Sequence, residues 1–153
     1  MFYTLPKCCL SADDLLVLAD VDTSLKLKDH AFTSLVKLVS VYDGDTIWVA
    51  YYDRRFKRVM RVSCRMEGYD APEMKPPKNA PNRDSIIKNA KRAKRIVEQH
   101  YPKGCFRVRV VGTDKYGRWL VRDPAIKDKL LNLGLAYEYN GGKKIENFEV
   151  IIK

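Results

Sequence analysis

The stretch MRVSCRME, residues 60–67, alternates strictly between apolar and polar side chains. A period of two is typical of a β-strand that packs one face on a core and turns the other face toward solvent. One polar position holds Arg65, whose guanidinium stays charged at any working pH and therefore needs an anionic partner. The stretch predicts a half-buried strand whose polar face meets an anion.

Four further segments have sequence patterns typical of β-strands. Residues 34–41 (SLVKLVSV) and 46–52 (TIWVAYY) are rich in β-branched side chains and are separated by a DGD turn. Residues 105–112 (CFRVRVVG) alternate again, and we expect them to pair with WLVR, residues 119–122, across the turn TDKYGR.

A long loop and a helix lie between these two groups of strands. Residues 72–84 contain four prolines, so we expect an irregular loop. A helix is predicted from residue 85 to about residue 100, with Asp84 or Ser85 as its N-cap. Its apolar stripe comprises Ile86, Ala90, Ala93 and Val97.

A second helix is predicted to begin at Pro124, because proline suits the first helical position and Asp123 before it is a good N-cap. The helix is predicted to end at Gly134.

The resulting order is three strands, a helix, two strands and a helix. That order is typical of an α+β, mainly β fold, a five-stranded Greek-key barrel of the OB type with two or three helices. A small open α+β sheet is the alternative. The predicted apolar stripe of the helix that begins at Pro124 comprises Ile126, Leu130 and Leu133.

The charge of the chain is unevenly distributed. Its 153 residues, a length typical of one domain, carry a net charge of +10. The first 35 residues contain three lysines and five aspartates, a charge of −2, so the remaining 118 residues carry +12. A basic body favours a polyanionic partner, and solubility is the plainer explanation.

The cysteines and the N-terminal segment bear on cellular location. No zinc-type cysteine spacing occurs, and Cys64 and Cys105 lie in strand patterns, where a free cysteine behaves as a small buried hydrophobe. Reduced thiols, and aspartates that interrupt any signal-peptide pattern, predict an intracellular, cytoplasmic protein. No run approaches the roughly 18 apolar residues of a membrane span, so we expect no membrane partner.

Short carboxylates stand at the ends of several predicted elements. YDGDT contains Asp43 and Asp45, and CRMEGYDAPE contains Asp70 and Glu73. Grouped carboxylates repel unless a cation neutralises them or one takes up a proton. Oxygen ligands favour Ca²⁺ or Mg²⁺. Each acid alone could instead cap backbone groups at a turn.

Two arginines supply the opposite charge from separate segments. The planar guanidinium groups of Arg65 and Arg118 suit phosphate oxygens. The alternative is that Arg65 forms an ion pair with Asp70 or Glu73. Acids and arginines together favour a phosphate site.

Three motifs together, DGDT, R-x-x-x-x-D-x-P-E and TDKYGR, resemble the staphylococcal nuclease (thermonuclease) family, and more closely its intracellular or viral members. The similarity covers residues 35–140, with residues 1–34 as an acidic N-terminal extension and 141–153 as a C-terminal tail. The resemblance implies an OB-fold barrel and a Ca²⁺-dependent endonuclease (Mg²⁺ is possible) that cleaves DNA or RNA, preferring single strands. Such cleavage leaves 3′-phosphate and 5′-hydroxyl ends. The alternative is a non-catalytic module of the same fold that binds nucleic acid or protein.

The resemblance implies metal and base roles for residues that match the motifs. Asp45 and Asp70 would bind Ca²⁺ through their carboxylates. Ala71 stands where the family usually has threonine, and it would bind the ion through its backbone carbonyl. Glu73 would position or deprotonate the attacking water.

The other matching residues would contact the nucleic acid. Arg65 and Arg118 would hold the scissile phosphate, and Lys115 and Tyr116 would contact the neighbouring one. The candidates for a tyrosine that stacks on or faces the nucleotide are Tyr137 and Tyr139.

The N-terminal extension has two interpretations. We expect residues 1–34 to pack where the family's third, C-terminal helix would lie, or else to mediate self-association.

Overall fold

The computed structural model describes residues 31–142. Predictions for the N-terminal extension before residue 31 and for the tail beyond residue 142 concern residues outside this range. In chain order the elements are β1 (Phe32–Val41), β2 (Thr46–Asp53), β3 (Arg58–Met66), β4 (Gly68–Asp70), α1 (Arg83–His100), β5 (Cys105–Thr113), β6 (Trp119–Arg122), α2 (Pro124–Asn132) and β7 (Tyr137–Tyr139).

Five strands close into a barrel in the order β1-β2-β3-β6-β5, and β5 pairs back onto β1. Neighbouring strands are antiparallel except for β3 and β6, which run parallel. The predicted α+β, mainly β barrel of the OB type is thus confirmed, with two helices in the described range, and the open-sheet alternative is wrong.

The core lies inside the barrel and beneath α1. The alternation of β3 holds, since Cys64 and Met66 are buried while Arg61 is exposed. The predicted stripe of α1 also faces the core, and three of its four members are fully buried. The central buried side chains include Ile47, Val49, Val97, Val110 and Val121.

The N-cap prediction for α1 is wrong. The helix begins at Arg83, and its N-cap is Asn82, which has a left-handed backbone (φ 55°) and makes no side-chain capping bond. Asp84 instead lies in the first turn, where its negative charge suits the positive end of the helix dipole. Ser85 is an ordinary helical residue.

For α2 the predicted cap is confirmed, because the Asp123 carboxylate accepts a hydrogen bond from the Ile126 N–H at 3.2 Å. Leu133, in contrast, follows the last helical residue and is 47% exposed, so it does not belong to the buried stripe. Cys105 is exposed as well, because it is the first residue of β5 and points outward there.

A second, two-stranded sheet was not predicted. The short strands β4 and β7 pair antiparallel, with Asp70 opposite Tyr137. Strands of three residues are too short to show a periodicity in sequence. This sheet brings the chain after α2 back to the end of β3.

Within residues 31–142, neither helix has the length and apolar character that a membrane-spanning segment requires.

Gly44 anchors the turn between β1 and β2 to the rest of the core. Its carbonyl accepts a hydrogen bond from the buried Tyr69 hydroxyl at 2.9 Å. A Cβ at this position would lie 2.6 Å from the Ala71 Cβ and 2.8 Å from the Ala93 Cβ. The turn therefore packs directly against α1 and the segment after β4, and only a glycine fits there.

We predict that Gly44→Ala lowers the free energy of unfolding by about 1–3 kcal/mol, because the added methyl overpacks a site with no flexible neighbour. Chemical denaturation measures this loss. Gly104→Ala is the matched control, since an added Cβ there meets no atom within 4 Å, and its stability should stay unchanged or rise slightly. Equal effects at the two glycines would contradict the packing argument.

Candidate active site

A cleft of about 440 Å³ opens at one end of the barrel, between the β1–β2 turn, β3 and the β5–β6 turn. It also reaches the loop after β4 and the strand β7. Side chains from all five segments line it. The predicted site residues in its lining are Asp45, Arg65, Glu73, Lys115, Tyr116, Arg118 and Tyr139.

The β1–β2 turn holds the Asp45 carboxylate in a fixed orientation. Asp43 stabilises the turn by accepting a hydrogen bond from the Asp45 N–H at 3.1 Å. The Asp45 carboxylate accepts one bond from the Thr46 hydroxyl at 2.8 Å and another from the Ala71 N–H at 3.1 Å. Asp43 and Thr46 also line the cleft, and sequence reasoning gave neither of them a role.

Arg65 joins the two predicted metal ligands. Its Nη1 donates to the Asp45 carboxylate at 2.7 Å, and its Nη2 donates to the Asp70 carboxylate. All three side chains are largely buried, with 12%, 4% and 5% of their surfaces exposed. The alternative of an ion pair with Asp70 is therefore realised, and the pair with Asp45 was not anticipated.

Tyr137 supports this ion pair from the second sheet. Its hydroxyl donates to the other oxygen of the Asp70 carboxylate at 2.8 Å. Tyr139, two residues later, lines the cleft, and Arg65 lies over its ring at 5.9 Å. Of the two tyrosine candidates, Tyr139 is the one placed at the cleft, and Tyr137 holds an acid behind it.

The acids of the β1–β2 turn carry unfavourable negative charge. Burial raises the pKa of Asp45 to about 7, with the Asp43 carboxylate adding to the rise and the Arg65 guanidinium opposing it. Burial also raises the pKa of Asp43, and the Glu73 carboxylate contributes to that rise. Additional positive charge at this point would stabilise the ionised forms.

The donors suit a hard cation in their chemistry, since Asp45 and Asp70 offer buried carboxylate oxygens. Across residues 31–142, however, no group of three or more His, Cys, Asp or Glu side chains is assembled as a metal site. The two carboxylates instead converge on the Arg65 guanidinium. Ala71 is buried and uses its N–H on Asp45, and its role as a carbonyl ligand stays a prediction.

Asp114 organises the TDKYGR turn, a role that sequence reasoning missed. One of its carboxylate oxygens accepts the N–H groups of Tyr116 and Arg118 at 2.9 and 3.0 Å, and the other accepts the Arg118 Nε at 2.6 Å. Gly117 completes the turn with φ 78°. An aspartate at the start of a tight turn typically accepts the N–H of the residue two positions later, which forms an Asx turn. That signal in the sequence could have identified the role of Asp114.

The same turn presents an aromatic ring that contacts two cations. Tyr116 is 73% exposed, with Lys115 at 5.0 Å and Arg118 at 5.6 Å from its ring centre. Glu73 reaches the cleft from a different segment, the loop just after β4, and its side chain is exposed there. A second cavity of about 420 Å³ shares Arg65 and Arg118 with the cleft.

No protein-family model matches this chain, and a comparison with curated protein sequences gave no match. The fold and the cleft define a barrel of the OB type with buried acids and two arginines at one end.

We predict that Arg65→Met lowers the free energy of unfolding at neutral pH by about 3–5 kcal/mol, because Asp45 and Asp70 stay buried without a counter-charge. The loss should shrink at acidic pH. The pKa of Asp45 in the folded protein already lies above its ordinary 3.8, at about 7, and losing Arg65 raises it further. The folded variant therefore binds more protons than the unfolded chain, and its stability falls as pH rises through this window.

Denaturation at pH 5 and pH 7.5 measures both effects. Arg61→Met is the control, because Arg61 lies four residues earlier on the same strand and is exposed, and it should lose less than about 1 kcal/mol. A pH-independent loss in Arg65→Met would contradict the proposed role of the ion pair.

Proposed function

We propose that this protein is a metal-dependent phosphodiesterase, with Ca²⁺ as its cofactor, that cuts within single strands of DNA or RNA. This is the activity of the staphylococcal nuclease family that its motifs resemble. The observation that supports the proposal best is the convergence of Arg65 and Arg118, from different segments, on one cleft with Asp45 and Glu73.

The arginines would hold the scissile phosphate. The bond from its Nε to Asp114 fixes the Arg118 side chain, which lines the cleft. Arg65 would exchange its carboxylate partners for phosphate oxygens. Carboxylates and phosphates can each accept two parallel hydrogen bonds from a guanidinium. Two fixed cations stabilise the charge that develops on the phosphate oxygens in the transition state.

Asp45 and Asp70 would hold the cation, with Asp43 adding negative charge beside them. When bound, Ca²⁺ would supply further positive charge to the phosphate and relieve the repulsion among these acids. The elevated pKa values of Asp43 and Asp45 support a cation at this place.

Glu73 is the candidate general base, because it is exposed at the cleft, where water can reach it. In the proposed reaction its carboxylate takes a proton from water while the water oxygen forms a bond to phosphorus. The bond from phosphorus to the 5′ oxygen breaks, and that oxygen takes up a proton from solvent. The products carry a 3′-phosphate and a 5′-hydroxyl.

We predict that Arg118→Lys lowers kcat for single-stranded DNA by about 10²–10³-fold with the fold intact, because the charge remains while the forked donor geometry is lost. Cleavage of a labelled oligonucleotide in Ca²⁺ measures the rate. Arg122→Lys is the control: Arg122 lies nearby on β6, is exposed and pairs with Glu67, so near wild-type activity is expected. Full activity in Arg118→Lys would remove Arg118 from the reaction.

We predict that Glu73→Gln reduces the cleavage rate by about 10²–10⁴-fold, the usual contribution of a general base. Binding of the same oligonucleotide in chelator should change little. Glu98→Gln, on the exposed side of α1, serves as the control and should cut at the wild-type rate. Equal rates for Glu73→Gln and wild type, or cleavage that persists in chelator, would argue against this mechanism.

A second candidate is a binding module that does not cut. The observation in its favour is that Arg65 occupies both carboxylates, with no assembled metal group elsewhere in the described range. This function predicts tight oligonucleotide binding and no cleavage with either Ca²⁺ or Mg²⁺.

A further inference from the structure

The β2–β3 hairpin continues outward from the cleft along one face. Thr46 pairs with Arg65 at the cleft, and the register runs unbroken to the pair of Tyr52 and Val59. Because side chains alternate along a strand, every second residue shares the outward face with Thr46 and Arg65. We call this face the outer ribbon; its members are Thr46, Trp48, Ala50 and Tyr52 on β2 and Val59, Arg61, Ser63 and Arg65 on β3.

Large apolar and aromatic side chains are exposed on the outer ribbon. Trp48 is 37% exposed, Tyr52 59% and Val59 68%. The Arg61 guanidinium lies 5.7 Å from the Trp48 ring centre, in a cation–π contact. The opposite, inward positions of β2 fill the core, so these rings are not needed for packing.

The hairpin is also strongly basic. Residues 46–65 contain six arginines and lysines and one aspartate, a net charge of +5. That aspartate, Asp53, is buried and already paired with Arg55. The outer ribbon therefore combines exposed rings with the exposed charge of Arg61, and the hairpin tip beside it adds the exposed Arg54, Lys57 and Arg58. Arg65, at the cleft end of the ribbon, is already paired with Asp45 and Asp70.

We propose that the outer ribbon is a binding track for single-stranded nucleic acid that leads away from the cleft. Bases would stack on Trp48 and Tyr52, and Arg61 would contact the backbone. The distance from the pair at the cleft to the pair of Tyr52 and Val59 is about 20 Å along the strands, enough for several nucleotides. The inference rests on the proposed function for the kind of ligand and extends it to residues outside the reaction centre.

The ligand follows from the combination of features. Aromatic faces bind bases of any sequence, and interspersed cations follow a phosphate backbone. The track begins at Arg65, so a strand whose phosphate lies in the cleft passes directly onto it. A protein partner would need no such continuity with the phosphate site.

The test uses the full chain in chelator, where no cleavage occurs, with labelled oligothymidylates two and sixteen nucleotides long. The double variant Trp48→Ala/Tyr52→Ala should bind the 16-mer at least about tenfold more weakly, because each stacked base contributes substantially. Its affinity for the dinucleotide, which fills the cleft alone, should not change. Trp48→Phe, which keeps a ring, should retain most of the 16-mer affinity.

A charge test accompanies the stacking test. Arg61→Ala should reduce the slope of log affinity against log salt for the 16-mer by about 0.7, the value for one phosphate contact on a single strand. Arg92→Ala, at an exposed position of α1, should leave the slope unchanged. Thermal melts verify that each variant is folded.

Equal 16-mer affinities for the wild type and the double variant would overturn the track. So would a wild-type dimer that the double variant converts to monomer without any change in oligonucleotide affinity, because the face would then bind protein. The proposed function fails separately: length-dependent binding through Trp48 without cleavage in Ca²⁺ would keep the track and refute the nuclease. Normal cleavage with no effect of the double variant on 16-mer affinity would keep the nuclease and refute the track.

Discussion

The buried ion pair of Arg65 with Asp45 and Asp70 is the constraint on which the site depends. Removing three charged groups from water is unfavourable unless each has a well-placed partner. The pair meets this condition with bonds from Thr46, from the Ala71 backbone and from Tyr137. Every segment that supplies a partner is thereby fixed relative to β3. The three charged groups that hold the cleft together are therefore also groups that the proposed reaction uses.

The barrel explains why these segments meet at one end. Strands β1 to β3 deliver the acidic turn and Arg65, and the β5–β6 hairpin delivers Arg118 through a turn that Asp114 fixes. Gly44 lets the acidic turn pack directly on α1. A rigid core thus supports a site made mostly of turns, and positioning of this kind favours catalysis because little reorganisation remains to be done.

Sequence patterns predicted the barrel because its strands are long enough for the period of two to emerge, as in β3. They also predicted that the acids and arginines share one site, because the motifs that contain them lie at the ends of elements. They missed what depends on distant pairing. The sheet of β4 and β7 is too short to show a period, and the bond from Arg65 to Asp45 joins residues 20 positions apart. The Asn82 cap was missed because its left-handed backbone, without a capping side-chain bond, leaves no signal in the sequence.

The proposed activity requires that this cleft direct water onto the phosphorus of a single strand with a divalent cation present. Mass spectrometry of oligonucleotide fragments formed in Ca²⁺ and water enriched in oxygen-18 tests it directly. Attack of water on phosphorus should give fragments with one oxygen-18 in a 3′-phosphate and an unlabelled 5′-hydroxyl. An intact oligonucleotide, or fragments with the label at the 5′ end, would contradict it.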